Sequence, residues 1–361
     1  MKRFVTKIAF ALMALIMTVG QVNAQFTTTF AKNATPGQQN GLYYSLPLTM
    51  LKLDFIIEET ELEPSPLSDY ASNFMSSADY VDYKTTEYRL IDVRMSTVAS
   101  PDPNAMFFVA FGSSRGGGKV QFDMLPNGII RGVGMGNAVT EMNMEVVENV
   151  EECKEQPVVS TNKGLMKLMT AGKSNSQLAK EVADKIEEIR KAKFYLISGD
   201  VEMASNPETF NAMYQKLDEM EKEYTSLLLG KRVAKTVVKS VYVIPNKEVT
   251  YQTVAKFSTR EGLTTGTSGS GEMIAVQTLS LNSTASINAP SQSAVESMSY
   301  QNQVFYRVPE MANVKVSCGD KTLIEDRVTV NQLGALLTAP FTNASMVFDT
   351  KTGQIINMMM Q

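Results

Sequence analysis

The hydrophobic period of this chain changes twice, and that most constrains its fold. Leu51, Leu53, Phe55 and Ile57 alternate with more polar residues, the period-two signature of a half-buried strand. Between residues 173 and 230 the period becomes helical. Leu178, Val182, Ile186, Ile189 and Leu196 recur at three, four or seven residues, with Lys, Glu, Asp and Arg on the other faces. After Gly230 the alternation returns at residues 239–244, 249–257 and 273–281. Strands gathered on both sides of one helical block predict an α+β protein: mostly antiparallel β-sheet, in one domain or more, with an inserted antiparallel helical hairpin.

The helical block carries its own boundaries. Glu181–Lys185 and Glu187–Lys191 are favourable pairs four residues apart, and Gly199 stops the first helix. Asn206 caps the second, and Pro207 occupies its first turn, where a missing N–H is harmless. Phe210, Met213, Tyr214, Leu217, Met220, Tyr224 and Leu228 mark its apolar face before Gly230 ends it. The methionines there read as core filling.

Elsewhere, strands are expected at residues 88–95, 106–111 and 119–124, separated by Pro101-Asp102-Pro103-Asn104, Arg115-Gly116-Gly117-Gly118 and Pro126-Asn127-Gly128. Residues 69–75 suit one or two helical turns. Residues 282–298 lack a hydrophobic period and read as flexible. Short strands are expected at 304–308, 314–316, 327–330 and 346–348, with a hairpin turn at 349–353. No fixed-period repeat is visible. The boundaries are therefore a leader at 1–24, an N-terminal β-rich region at 25–140, an acidic linker at 141–172, the hairpin at 173–230 and a C-terminal β-rich region at 231–361.

The leader has the charged, apolar, small-residue order of a secretory signal peptide. Lys2, Arg3 and Lys7 precede an uncharged run from Ile8 to Val19, and Val22-Asn23-Ala24 offers the cut. That run is about 18 Å long as a helix, too short for a bilayer core of roughly 30 Å. Cleavage removes three basic residues and no acidic one, taking formal charge from −4 to −7. An acidic exported protein has no electrostatic reason to bind nucleic acid. No later apolar run suggests an integral membrane segment. Position 25 is Gln, so lipidation of a new N-terminal thiol is not expected.

Composition removes several chemistries. There is no histidine, so neither a Ser-His-Asp nor a Cys-His nucleophile can be assembled. Zinc loses its commonest ligand. There is no Trp, which weakens a sugar-stacking reading, although 13 Tyr and 16 Phe remain. Cys153 and Cys318 are the two cysteines, and sequence gives no distance between them.

Five short segments in fixed order carry a resemblance. They are Tyr43-Tyr44-Ser45-Leu46-Pro47, Pro101-Asp102-Pro103-Asn104, Val304-Phe305-Tyr306-Arg307-Val308-Pro309, Gln332-Leu333-Gly334 and Phe348-Asp349-Thr350-Lys351-Thr352-Gly353. Together they resemble an exported family of Bacteroides-type bacteria, domain of unknown function 4831, over nearly the whole chain beyond the leader. The resemblance implies export and architecture, and offers no catalytic residue to map.

Three motifs invite sharper readings. Residues 112–119 fail the phosphate-loop pattern, because Ser113 stands where Gly is required and Val120 follows Lys119. Gly132-Val133-Gly134-Met135-Gly136-Asn137 lacks the third glycine of a dinucleotide fingerprint and reads as a loop or bulged strand. Ser160-Thr161-Asn162-Lys163 with Lys351-Thr352-Gly353 copies the S-x-x-K and K-T-G of penicillin-recognising enzymes. No strong buried helix follows Ser160, and the K-T-G falls in a tight turn. Glu58, Glu59, Glu61 and Glu63 suggest a calcium site, a carboxylate pair or, better, a solvated strand edge. Met358-Met359-Met360 fits none of these patterns.

No catalytic, cofactor-binding or metal-binding residue is therefore expected. The leading expectation is a non-catalytic binding or structural protein of the bacterial envelope, with a protein or glycan partner. The alternative is a carboxylate-based extracellular hydrolase of glycans, which needs two carboxylates roughly 5–10 Å apart in one cleft.

Overall fold

Among the described residues, fourteen strands run, in chain order, as β1 (Phe26–Phe30), β2 (Gly41–Glu63), β3 (Thr85–Phe111), β4 (Val120–Met124), β5 (Ile130–Met135), β6 (Lys231–Val243), β7 (Tyr251–Ser258), β8 (Gly262–Thr265), β9 (Glu272–Ser280), β10 (Tyr300–Gln301), β11 (Gln303–Cys318), β12 (Lys321–Pro340), β13 (Ala344–Phe348) and β14 (Ile355–Met360). Four helices accompany them: α1 (Ala71–Phe74), α2 (Asn175–Ser198), α3 (Pro207–Leu229) and α4 (Gln292–Glu296). This computed structural model describes residues 26–35, 40–74, 80–112, 120–135, 172–198, 207–247, 249–266, 269–341 and 344–360. The expected leader, most of the acidic linker, Gly199, Asn206, Cys153, Ser160 and Lys163 lie outside the described residues.

The strands form three sheets in the orders β10-β1-β3-β2-β6, β12-β11-β9-β7-β8 and β14-β13-β5-β4. Every pairing between these strands is antiparallel. The α+β class is as the sequence pattern requires. Strands from before residue 140 and after residue 230 share two of the sheets, because β6 and β10 join the first and β13 pairs with β5.

The expected separate strands on either side of Pro101-Asp102-Pro103-Asn104 are one continuous strand. Its turn chemistry is spent on a bulge: the register jumps from Ser45 opposite Met106 to Pro47 opposite Pro101, so residues 102–105 stand against Leu46 alone. The short strands expected at 314–316 and 327–330 are likewise parts of long β11 and β12. There the register jumps from Val308 opposite Ala335 to Glu310 opposite Val330, leaving residues 331–334 against Pro309. Proline cannot donate to a ladder, so it settles where the ladder is already interrupted.

These bulges divide the core. Above them Phe26, Tyr44, Leu46, Phe107, Phe305 and Phe348 pack together, with Phe107 and Phe305 stacked 4.2 Å apart. Below them Leu51, Leu53, Phe55 and Ile57, the alternating face read from the sequence, pack onto Ile274, Val276, Val314 and Val316. Burying each such side chain contributes about 1.5–3 kcal/mol.

Comparing the two ribbons exposes an internal duplication of uneven spacing. Leu42-Tyr43-Tyr44-Ser45-Leu46-Pro47 in β2 parallels Val304-Phe305-Tyr306-Arg307-Val308-Pro309 in β11. Each ribbon carries a four-residue bulge on its second strand and is followed by a short hairpin, β4–β5 or β13–β14. The amides of Ser45 and Arg307 donate to the carbonyls of Gly128 and Gly353 in the respective hairpin turns, both at 2.9 Å. Gly128 and Gly353 hold φ of 87° and 76°, which favours glycine.

The helical stripe of α2 is buried as expected: Leu178, Val182, Ile186, Ile189 and Leu196. It packs antiparallel to α3, with Lys193 reaching Asp218 and Glu221 at 2.8 Å each and Arg190 reaching Glu221 at 2.7 Å. Glu187–Lys191 forms at 2.8 Å, but Glu181 pairs with Lys173 and Lys185 with Glu188. The apolar face of α3 is covered less than its sequence suggests. Leu227 and Leu228 are buried against Leu67 and Ala71 at the base, whereas Met213 is exposed and Phe210, Tyr214, Leu217 and Met220 are half-buried. Among the described residues, only the base of the hairpin has a third element to lean on.

The stretch expected to be flexible, 282–298, carries turns and α4, capped by the Ser291 hydroxyl. Polar anchoring replaces the missing apolar period. Among the described residues, no helix is long and apolar enough to cross a membrane.

Candidate functional site

Two places concentrate charge: a closed junction at the bulges and an open cleft below them. At the junction the five segments named above converge. Arg307 is buried and donates to the Asp102 carboxylate at 2.8 Å and to the Pro47 carbonyl at 2.9 Å. The other Asp102 oxygen accepts the Asn104 amide at 2.9 Å. Tyr44 accepts the Phe305 amide at 2.9 Å. Its hydroxyl is pushed far above the ordinary value by burial, against the lowering effect of that bond. Gln332 accepts from the Thr49 amide and donates to the Thr49 and Pro245 carbonyls at 2.9–3.0 Å. Asn331 donates to the Lys351 carbonyl at 2.7 Å, tying down the Lys351-Thr352-Gly353 turn, while its own Oδ1 is buried without a partner among the described residues.

Beside the junction lies a cavity of about 420 Å³. Glu310, 2% exposed, faces it from β11. Burial opposes its charge, but the amides and hydroxyls of Ser283 and Thr284 donate four hydrogen bonds of 2.5–3.0 Å and hold its carboxyl down at about 2. This carboxylate anchors the 282–298 stretch and has no acceptor capacity to spare for catalysis.

The cleft is larger, about 1060 Å³. Residues 85–93 of β3 form one wall; the other comes from Thr259 and Arg260 in the β7–β8 turn, Glu272, Cys318 and residues 321–323 of β12. The Tyr88 amide donates to the Thr259 carbonyl at 2.8 Å, fastening the walls together at one end. Gly262, at φ 70°, sits against the Tyr88 ring, where an added Cβ would come within 2.9 Å.

Most acids of the cleft are already engaged. Glu58 pairs with Arg89 at 2.9 Å, Asp92 accepts the Val93 amide at 2.9 Å, and Glu272 accepts the Cys318 thiol at 3.5 Å. Burial, reinforced by Glu272, pushes that thiol up to about 11, so at neutral pH it is neither a nucleophile nor a thiolate ligand. Arg260 and Lys321 have no acid partner among the described residues. Tyr83 and Ile91 expose 69% and 50% of their surface at the rim.

The acidic run does not form the solvated edge expected of it. β2 is flanked by β3 and β6, and its acids meet cations across the strands: Glu58 with Arg89, Glu59 and Glu61 with Lys235, Glu63 with Lys84. Among the described residues, no group of three or more Cys, Asp or Glu is placed to hold a metal ion. Gly132 and Gly134 lie within β5, and Gly136 and Asn137 fall outside the described residues. No sequence signal marks the cleft, because its walls come from segments more than 150 residues apart that alternate like any others.

Residues 40–356 match the family described as Domain of unknown function (DUF4831), and the chain belongs to it. No curated protein and no solved structure matches the chain.

Proposed function

We propose that this is an exported, non-catalytic binding protein of the bacterial envelope, and that the cleft between β3 and the β7–β8 and β11–β12 turns takes the ligand. The carrying observation is the asymmetry of the cleft's charges. Three of its four acids are already bonded to the protein, whereas Arg260 and Lys321 lack acid partners among the described residues. Unpaired cations beside exposed Tyr83 and Ile91 suit an extended ligand that carries carboxylates, a protein segment or an acidic glycan. The two-carboxylate hydrolase needs a second acid, and Glu87 is the one cleft acid without a bonded partner among the described residues.

Acidic peptide and oligosaccharide arrays probed with the wild type and with a double Arg260→Ala, Lys321→Ala variant test the reading. Binding that the double variant loses by at least tenfold supports it. Equal binding by both, or ligands recovered cleaved, refutes it, and cleavage would reinstate the hydrolase. Export is tested by sequencing the N-terminus of the protein recovered from its host; a start at Gln25 is expected.

A further inference from the structure

The two hairpins of the third sheet repeat head to tail, and the repeat leaves complementary edges. Leu125 and Asp349 donate their amides to Ile129 and Gln354 at corresponding places in the two turns, at 2.8 and 2.9 Å. Each hairpin shifts register just before that turn, between Asp123 and Met124 or between Val347 and Phe348. So β4 corresponds to β13, and β5 to β14. The sheet order β14-β13-β5-β4 then means that β5, the second strand of one unit, is covered by β13, the first strand of the other. The matching edge of β14 is uncovered among the described residues, and so is the edge of β4 that matches the one by which β13 takes β5.

We infer that this sheet continues between molecules, the β14 edge of one copy receiving β4 of a second copy in the manner of the internal β5–β13 pairing. Internally Met346 stands opposite Val133 and Val347 opposite Gly132. Carried over, Phe122 of one copy stands opposite Met358 of the next, and Asp123 opposite Asn357.

The side chains fit this occupant. β14 reads Ile355-Ile356-Asn357-Met358-Met359-Met360, without a charge, and Ile356, Met358 and Met359 are 43–50% exposed. A bare apolar edge is a ready template for another strand. The acid of β4, Asp123, is already paired with Arg131 at 2.5 Å, so no lone charge faces the methionines. The 13-residue edge strand β6 shows the opposite design, with Lys231 and Lys239 repelling a like strand. This accounts for the methionine run that the sequence patterns left without a role. The contact joins unlike surfaces, so it propagates beyond the dimer, into a closed ring or an open chain of molecules.

Sedimentation velocity over a concentration series tests the inference, using Met359→Lys to block β14 and Gln121→Lys to block β4. The wild type is expected to grow beyond the dimer with concentration, and each variant alone to stay monomeric. Mixed in equal amounts, the two variants are expected to form a 1:1 dimer and nothing larger, because one intact pair of edges remains. Circular dichroism checks folding; should Gln121→Lys unfold, Gln121→Glu is read in the same way. A wild type that stays monomeric throughout, a Gln121→Lys variant that dimerises alone, or a mixture that remains monomeric overturns the inference. None of these outcomes bears on ligand binding in the cleft.

Discussion

The junction and the cleft use the same residue types to opposite ends. At the junction Arg307, Asp102 and Tyr44 are enclosed, Gln332 is half-buried, and all four are bonded, mostly to backbone groups of distant strands. In the cleft, arginine, lysine and tyrosine stand at the surface with capacity unspent. Buried charge is tolerated only when it is paired and hydrogen-bonded, so a closed network of this kind holds architecture. An open set of half-used groups costs the fold little and remains available to a ligand. The difference separates the residues that fix where the ribbons bend from those that the proposed function assigns to a ligand.

Breaking the junction has the largest expected effect. Arg307→Ala strands Asp102 and the Pro47 carbonyl in the interior and is expected to cost about 3–5 kcal/mol, read from the urea midpoint. Gly334→Ala comes next. Its Cβ would lie 2.0 Å from the Val308 carbonyl and 2.8 Å from Pro309, forcing the second bulge open. A loss of about 1–3 kcal/mol or more is expected in the same assay.

Glu310→Gln separates the charge of this carboxylate from its shape, and a loss of about 1–3 kcal/mol is expected at neutral pH. The Glu310 carboxyl is held at about 2, below its ordinary value of 4.5. Its contribution is therefore complete above about pH 5 and lost as pH falls toward 2. Wild-type stability should decline more steeply than the variant's across that interval, and parallel declines would show that the charge is not what holds the 282–298 stretch. The cleft has the smallest effect on stability. Arg260→Ala with Lys321→Ala should shift it by no more than about 0.5 kcal/mol while removing ligand binding. A thiol held near 11 should also make Cys318 slow to alkylate at neutral pH, with the rate rising into the alkaline range.

Local pattern predicts local structure well here. The Leu51-to-Ile57 face, the buried stripe of α2, and the turns at 126–128 and 349–353 need only neighbours in sequence to be recognised. It misleads where a residue's partner is remote. Pro101-Asp102-Pro103-Asn104 looks like a chain reversal, yet a second bulged ribbon lets it serve as a bulge whose aspartate meets Arg307. Glu59 and Glu61 look like a free edge because Lys235 lies more than 170 residues away. Residues 282–298 look slack because the carboxylate that gathers them belongs to β11. The duplication escapes a search at fixed period because the material between corresponding segments differs in length.

By itself, the sequence determined the α+β class, the position of the helical hairpin, the tight turns, the absence of any histidine-based chemistry and the membership of the family. The family follows from the order of motifs along residues 40–356; the rest follow from composition and from periodicities within a few residues. Tertiary structure alone decided that the five segments named from the sequence meet at one junction, that the acids of β2 are neutralised, and that a cleft opens between β3 and the turns of the second sheet. These depend on register between strands far apart in sequence and on how two sheets pack face to face, which no short stretch of the chain contains.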